Sequence, residues 1–256
     1  MAELTAVVLA GGRRDAVAAL EPGAPNKAFV RIAGVTLLER TLAGLRAAHG
    51  IKRIIVVAPA AVHARPELRD ADEVRADGAK ISQSLAAGLA DLPPDELIVV
   101  APSDVPLLSG TGVDEFVHAA LAANADLVYA CLERRTHEMR YRDVPHTWAK
   151  LRGGTYCGAG LIAIRPRAFA SLSRFLEQLG AARKSPARLA GLMGRDVIVN
   201  YLRGRLTIAD CEARASKLLG LPARAVVLGC PEVAVNVDRP SDVSLAERLI
   251  AEASSG

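Results

Sequence analysis

The sequence is poor in aromatic residues: phenylalanine, tryptophan and tyrosine make up 4% of 256 residues. Binding of single-stranded nucleic acid relies on stacking platforms, so this scarcity argues against a nucleic-acid partner. No apolar run approaches the ~20 residues of a membrane span, and no basic stretch precedes an apolar one after Met1. Only four cysteines occur (Cys131, Cys157, Cys211, Cys230), far apart and without a Cys-x-x-Cys pair. They support neither a zinc ribbon nor a disulfide framework, and buried free thiols in a reducing compartment are expected. The five histidines (His49, His63, His118, His137, His146) share no metal-ligand spacing, and Ser82 and Ser84 stand in no Gly-x-Ser-x-Gly frame. Charge of one sign is not in large excess: 32 Lys and Arg against 28 Asp and Glu leave +4. That balance suits solvated arginines and phosphorylated or acidic small molecules. A cytoplasmic protein is expected, with no membrane partner. Oligomeric state is not legible, and a homo-oligomer stays open.

What the chain does have is 51% hydrophobic residues, set out as alternating strands and helices. Residues 4–10 form a continuous apolar run ended by Gly11 and Gly12, which suits a strand buried on both faces. Leu38, Leu42 and Leu45 recur at helical spacing within 35–49, which closes at Gly50. Further strands are expected at 53–58, 97–101 and 126–130, with helices at 81–92 and 113–123. This alternation predicts βαβ units and a mainly parallel sheet. Later strands are expected at 158–164, 223–228 and 233–237, and helices at 166–180, 185–193, 210–219 and 241–251, the last capped by Ser241. Residues 133–152 are charged, carry two histidines and Trp148, and lack periodicity. An irregular stretch of this kind is often a lid or a substrate-binding region. No repeat or linker interrupts the chain, so 1–256 reads as one α/β domain.

The chemistry starts in the first loop, where Leu9, Ala10, Gly11 and Gly12 are followed by a polar stretch and then Asn26-Lys27-Ala28. Glycines directly after a parallel strand let backbone N–H groups approach an anion, and a lysine adds a point charge for phosphate. The spacing matches neither a Walker A loop nor a dinucleotide fingerprint. Taken alone, the Gly-Gly pair favours a plain turn with a surface lysine. Asp104 follows the strand at 97–101, which places its carboxylate at the carboxyl edge of the sheet, where α/β folds bind ligands. There it could ligate Mg²⁺ beside phosphate oxygens, or simply cap a turn. Asp238, in Val235-Asn236-Val237-Asp238-Arg239-Pro240-Ser241-Asp242, again places a carboxylate between a strand and a helix. Asp242 reads as a carboxylate of the helix's first turn.

The run LAGG…NKAFVRIAGVTLLERTL, then DGAKISQSLAAGL, VVAPSDVPLL and VNVDRPSDV, resembles the MobA-like nucleotidyltransferases of molybdenum-cofactor type. More broadly it is similar to the sugar-phosphate and cofactor-phosphate nucleotidyltransferases. The resemblance implies a Rossmann-like, GT-A-type α/β fold, an NTP substrate, a Mg²⁺ ion and a phosphorylated or acidic small-molecule acceptor. By position, it implies that Leu9, Ala10, Gly11 and Gly12 line the nucleotide and that Lys27 sits on its phosphates. Gly78 and Ser82 match the segment that holds base and ribose. Asp104 matches the first metal carboxylate and Asp238 the second, with Asn236 as the alternative. Lys150 is the candidate for a second basic catalytic residue on the acceptor side. The nucleotide-binding half would span about 1–130 and the acceptor-binding half about 131–256. The loop before Lys27, with Arg13 and Arg14, is longer than in the molybdenum-cofactor enzymes.

The expected reaction is transfer of NMP from an NTP to the acceptor, with release of pyrophosphate. One rival is a glycosyltransferase of the same fold using a nucleotide-sugar, although no Asp-x-Asp follows the strand at 97–101. Another is a non-catalytic nucleotide-binding paralogue, which would be marked by lost metal carboxylates. Two clusters stay open: the basic residues Arg183, Lys184, Arg188, Arg195, Arg203 and Arg205 suit an acidic acceptor or a solvated face. Gly153, Gly154, Gly158 and Gly160 suit close approach to a ligand or to a neighbouring strand.

Overall fold

The computed structural model describes residues 3–182 and 185–254. Arg183 and Lys184, and the side chain of Arg188, therefore lie outside the described residues. The strands are β1 (Leu4–Leu9), the short hairpin β2 (Arg31–Ile32) and β3 (Val35–Thr36), β4 (Ile51–Ala58), β5 (Glu73–Ala76), β6 (Ile98–Pro102), β7 (Leu127–Glu133), β8 (Ala149–Leu151), β9 (Gly154–Ile164) and β10 (Ala223–Leu228). The helices are α1 (Leu37–Arg46), α2 (Ile81–Leu89), α3 (Gly110–Ala123), α4 (Arg134–Arg140), α5 (Phe169–Ala182), α6 (Pro186–Met193), α7 (Arg195–Leu202), α8 (Ile208–Leu219) and α9 (Pro240–Ser254).

All strands but the hairpin join one eight-stranded sheet in the order β10-β7-β9-β6-β1-β4-β5, with β8 paired to β9. β1 runs parallel to β4 and β6, β4 to β5, and β7 to β10. β9 is antiparallel to β6, β7 and β8. Every strand of this sheet except β9 thus points the same way, and their carboxyl ends share one edge. Gly11, Asp77 and Asp104 all emerge there. The fold is the Rossmann-like α/β type.

The central strand shows why its sequence lacks alternation. Ala6 and Val8 face one core, with Leu38, Leu42 and Phe116 of α1 and α3. Val7 faces the other, with Ile55, Val57 and Leu85 of β4 and α2. A strand covered on both sides must be apolar throughout. α1 is started by a capping box: Thr36 Oγ1 accepts from Glu39 N at 3.2 Å, and Glu39 Oε2 accepts from Thr36 N at 3.0 Å, a device worth about 1 kcal/mol.

Three expectations need correction. Residues 233–237 are not a strand: one 3-10 turn over Pro231–Ala234 leads into unpaired extended chain, which docks on the Asp104 loop through Val237 N and Asp104 O at 3.0 Å. The last helix begins at Pro240, so Ser241 lies inside it. Asp242 Oδ2 does the capping instead, accepting from the N–H groups of Asp238 at 3.0 Å and Arg239 at 2.8 Å. Residues 133–152 are irregular only in part: α4 and β8 flank an irregular stretch at 141–148. Among the described residues no helix is long and apolar enough to cross a membrane.

Candidate active site

The first loop is held by Asp77, which follows β5, and by its own side chains. Gly11 is packed so closely against Asp77 that a Cβ would collide with the carboxylate, and Gly12, at φ +113°, donates its N–H to Asp77 Oδ2 at 3.3 Å. The long segment that follows folds on itself. Asp15 Oδ1 accepts from Ala18 N at 2.9 Å, Arg14 reaches the carbonyls of Ala18 and Glu21, and Val17 and Ala18 are buried. Arg14 therefore closes its own loop, while Arg13 is exposed. Asn26 is buried and makes two decisive bonds: Nδ2 donates to Ala10 O at 2.9 Å, and Oδ1 accepts from Ala28 N at 3.0 Å. It clamps the turn that begins at Lys27 to the end of β1.

Lys27 Nζ lies between two carboxylates. It forms ion pairs with Asp104 Oδ2 and, at 2.8 Å, with Asp238 Oδ1, and it donates to Val237 O at 3.3 Å. The Asp104 side chain is 8% exposed and that of Asp238 58%, so one carboxylate is a wall and the other a rim. Burial works against the Lys27 ammonium, but Asp104 and then Asp238 outweigh it and raise its pKa. Burial likewise raises the Asp104 carboxyl above the usual carboxylate range, opposed by Lys27. Asn236 Nδ2 donates to Asp238 Oδ2, holding that side chain rather than competing with it.

Asp104 Oδ1 is buried with no hydrogen-bond partner. Two carboxylates, one with a free buried oxygen, fit Mg²⁺, which binds through one or two carboxylates plus phosphate oxygens and water. Among the described residues no group of three or more His, Cys, Asp or Glu could hold a metal, so a closed protein cage is absent.

Gly78 and Ser82 lie at the same edge. Gly78 N donates to Ser84 Oγ at 3.1 Å, and a Cβ at Gly78 would strike the Gln83 side chain. Ser82 is half-buried in the first turn of α2. Leu9 is half-buried and Ala10 buried. Lys150 is not brought to this cluster: it is exposed on β8, and no hydrogen bond or ion pair joins it to Lys27, Asp104 or Asp238. Arg195, Arg203 and Arg205 are exposed on α7 and the turn after it. Beside Asp238 opens a cavity of about 370 Å³ whose basic side chains are Arg239 and His146. The glycines after β8 serve neighbouring side chains: Gly158 faces Tyr129, and Gly160 faces Pro102 and Val105 around Asp104. Asn26 and Asp77 were not among the predicted site residues. Asn26 carries a legible signal, an Asx cap directly before the lysine.

The family model for the MobA-like NTP transferase domain matches residues 6–190. The chain belongs to this family. As a MobA-like NTP transferase it is an enzyme, a nucleotidyltransferase, which agrees with the fold and with the order of the motifs. No curated protein matches the chain. Among solved structures, a hypothetical transferase from Thermus thermophilus is 32% identical, with a TM-score of 0.82, over 94% of this chain and 99% of its own. The 4-diphosphocytidyl-2C-methyl-D-erythritol synthase of Anaerococcus prevotii shares the fold at 14% identity and TM-score 0.59, covering 98% and 99%. A CMP:2-keto-3-deoxy-manno-octonic acid synthetase complexed with CTP does so at 12% and 0.56, covering 98% and 100%. At these identities the last two speak for the fold alone.

Proposed function

We propose that this MobA-like NTP transferase moves NMP from an NTP to a phosphorylated or acidic small-molecule acceptor, releasing pyrophosphate, with Mg²⁺ held by Asp104 and Asp238. One observation carries the reading: both carboxylates converge on Lys27 at the carboxyl edge of the sheet, and Asp104 Oδ1 is buried and unpaired. Leaving such an oxygen unpaired costs about 1–3 kcal/mol, which a bound cation offsets. Mg²⁺ there would supply charge neutralisation for the phosphates. The match to a MobA-like NTP transferase domain supports the same choice of substrate.

Leu9, Ala10, Gly11 and Gly12 then face the nucleotide with backbone, while Gly78 and Ser82 border its base and ribose. Lys27, on a flexible stem, turns from the carboxylates to the phosphates and offsets their charge as pyrophosphate departs. An acceptor oxygen attacks the α-phosphorus in line, and the bond to the bridging oxygen of the β-phosphate breaks. Positioning and charge stabilisation suffice for such a transfer, and an acceptor that is already an anion needs no general base. Arg239 and His146, rather than Lys150, are the basic groups lining the cavity beside Asp238. The four cysteines are free thiols, which suits a cytoplasmic setting.

Pyrophosphate release from each of the four NTPs, with Mg²⁺ and a panel of phosphorylated acceptors, tests the reading. Lys27→Ala should lower turnover about 100-fold or more with the fold intact by circular dichroism. Asp104→Asn should abolish the Mg²⁺-dependent rate. Parental activity in either variant removes that residue from the assigned role.

A further inference from the structure

We infer that the acceptor carries an apolar body, and that an apolar chamber behind Tyr129 holds it. This rests on the nucleotidyl-transfer reading above and adds the chemistry of the acceptor to it. The chamber has a volume of about 460 Å³ and lies between the β7-β9-β10 face of the sheet and helices α5 and α8. Together with the cavity beside Asp238, it falls within the ~300–1,000 Å³ range of small-ligand sites.

The space exists because small residues stand where two layers would otherwise interlock. Gly158, Ala223 and Ala225 line the sheet side, and Ala215 of α8 faces them. Leu172 and Phe175 of α5 supply bulk around the space without filling it. Its two charged wall residues are already engaged with backbone. Glu212 Oε1 accepts from Ala225 N at 2.8 Å, and Arg224 Nη1 donates to Ala223 O at 3.1 Å. Burial pushes the Cys131 thiol up to about 11, so it stays neutral. A polar guest would lose hydration there and find few partners, whereas an apolar one gains by leaving water.

Continuity with the proposed site decides the occupant. Tyr129, Thr147, Cys157 and Gly158 line both the apolar chamber and the polar cavity that contains Asp238 and Arg239. The Tyr129 ring lies directly over Gly158, where any Cβ would collide with its hydroxyl. Tyr129 is 44% exposed and stands where the β7–β9 register shifts, between Tyr129 and Cys131. One ring on one rotatable stem thus forms the partition. A molecule with its anionic head by Arg239 and Asp238 would extend past Tyr129 into the chamber. Alkyl and aryl phosphates share that chemistry.

The test titrates the full chain by calorimetry, in Mg²⁺, with methyl, butyl, hexyl and octyl phosphate, and with phenyl and naphthyl phosphate. Affinity should rise about three- to fourfold per methylene until the chamber is full, and then level off. Stronger binding by naphthyl than by hexyl phosphate would assign an aromatic body, and the reverse an aliphatic one. In Ala215→Trp, affinity should cease to depend on length; if that variant does not fold, Ala225→Leu on the opposite wall carries the same expectation. An affinity independent of length in the parent overturns the inference. So does length dependence that survives the filled chamber, or a stable dimer in sedimentation that Ala215→Trp dissociates. Melting shifts with NTP and Mg²⁺ are recorded in parallel. A flat series with an intact NTP response sinks the chamber alone. Length-dependent binding without any NTP response sinks the nucleotide reading and with it the chamber's role as acceptor site, leaving only an apolar ligand site.

Discussion

His137 is fully buried, and its Nε2 lies 2.9 Å from Nε2 of His146, with Trp148 and Tyr141 packed around the pair. Two rings meeting through the same nitrogen need one N–H and one lone pair, so both cannot be protonated together. Burial first, and His146 second, push His137 down to about 4 from an ordinary value near 6.5. Between those values the unfolded chain binds the proton and the folded chain does not. Stability therefore rises with pH across that window and is lost as pH falls from about 6.5 to 4, by about 3 kcal/mol for a shift of this size. Urea midpoints at several pH values should show that slope in the parent and a flatter one in His137→Gln. An equal slope in both would move the acid sensitivity to other groups. The consequence reaches function because His146 lines the cavity beside Asp238, and the same pair fixes that wall.

Elements, rather than single residues, set the distance between Lys27 and Asp104. Helix α1 approaches the loop after Asp104 so closely that a Cβ on Gly44 would collide with the backbone carbonyl of Leu108. Gly44→Ala should accordingly destabilise by about 1–3 kcal/mol, although alanine is the better helix former. It should also lower pyrophosphate release, because the shifted loop carries Asp104. Gly180 of α5 is the counterpart, with nothing near its missing Cβ, and Gly180→Ala should stabilise by about 0.5–1 kcal/mol. Thermal melts of the two variants separate packing from propensity, and equal shifts would refute the packing account. The central strands β1, β4 and β6 were legible because strands covered on both faces are unbroken apolar runs, and α1 and α2 because glycine or proline closes them. β5 and the β2–β3 hairpin, short and partly exposed, carry no such run. The stretch at 233–237 has the same apolar look but pairs with no strand, so composition alone could not distinguish docked loop from sheet. Helix α7 was missed because only Val197 is buried along it. At the site, Asp104 was visible as a carboxylate directly after a strand, Lys27 as the lysine of the loop that follows β1, and Asp238 as a carboxylate just before the last helix. The bonds of Asn26 to Ala10 and of Gly12 to Asp77 join residues 16 and 65 apart in sequence, and only the fold brings those together.

At the scale of the whole molecule, β9 joins what the sequence divides into a nucleotide half and an acceptor half. It pairs Ile98–Ile164 and Val100–Ile162 with β6 on one side, and Leu127–Ile164 and Tyr129–Ile162 with β7 on the other. Separating the halves would expose two strand edges and open the core around Val99, Val128, Leu161 and Ala163. Trp148, the only tryptophan, lies beyond β7 and packs against that same core. Its fluorescence therefore reports on the acceptor half, while far-ultraviolet circular dichroism reports on every helix and strand. The two signals should give one coincident unfolding transition. NTP with Mg²⁺ should raise both midpoints equally, because a ligand that binds only the native state stabilises the whole cooperative unit. Should Trp148 melt earlier, or fail to follow the nucleotide, the halves are separate units and β9 does not couple the nucleotide site to the acceptor cavity.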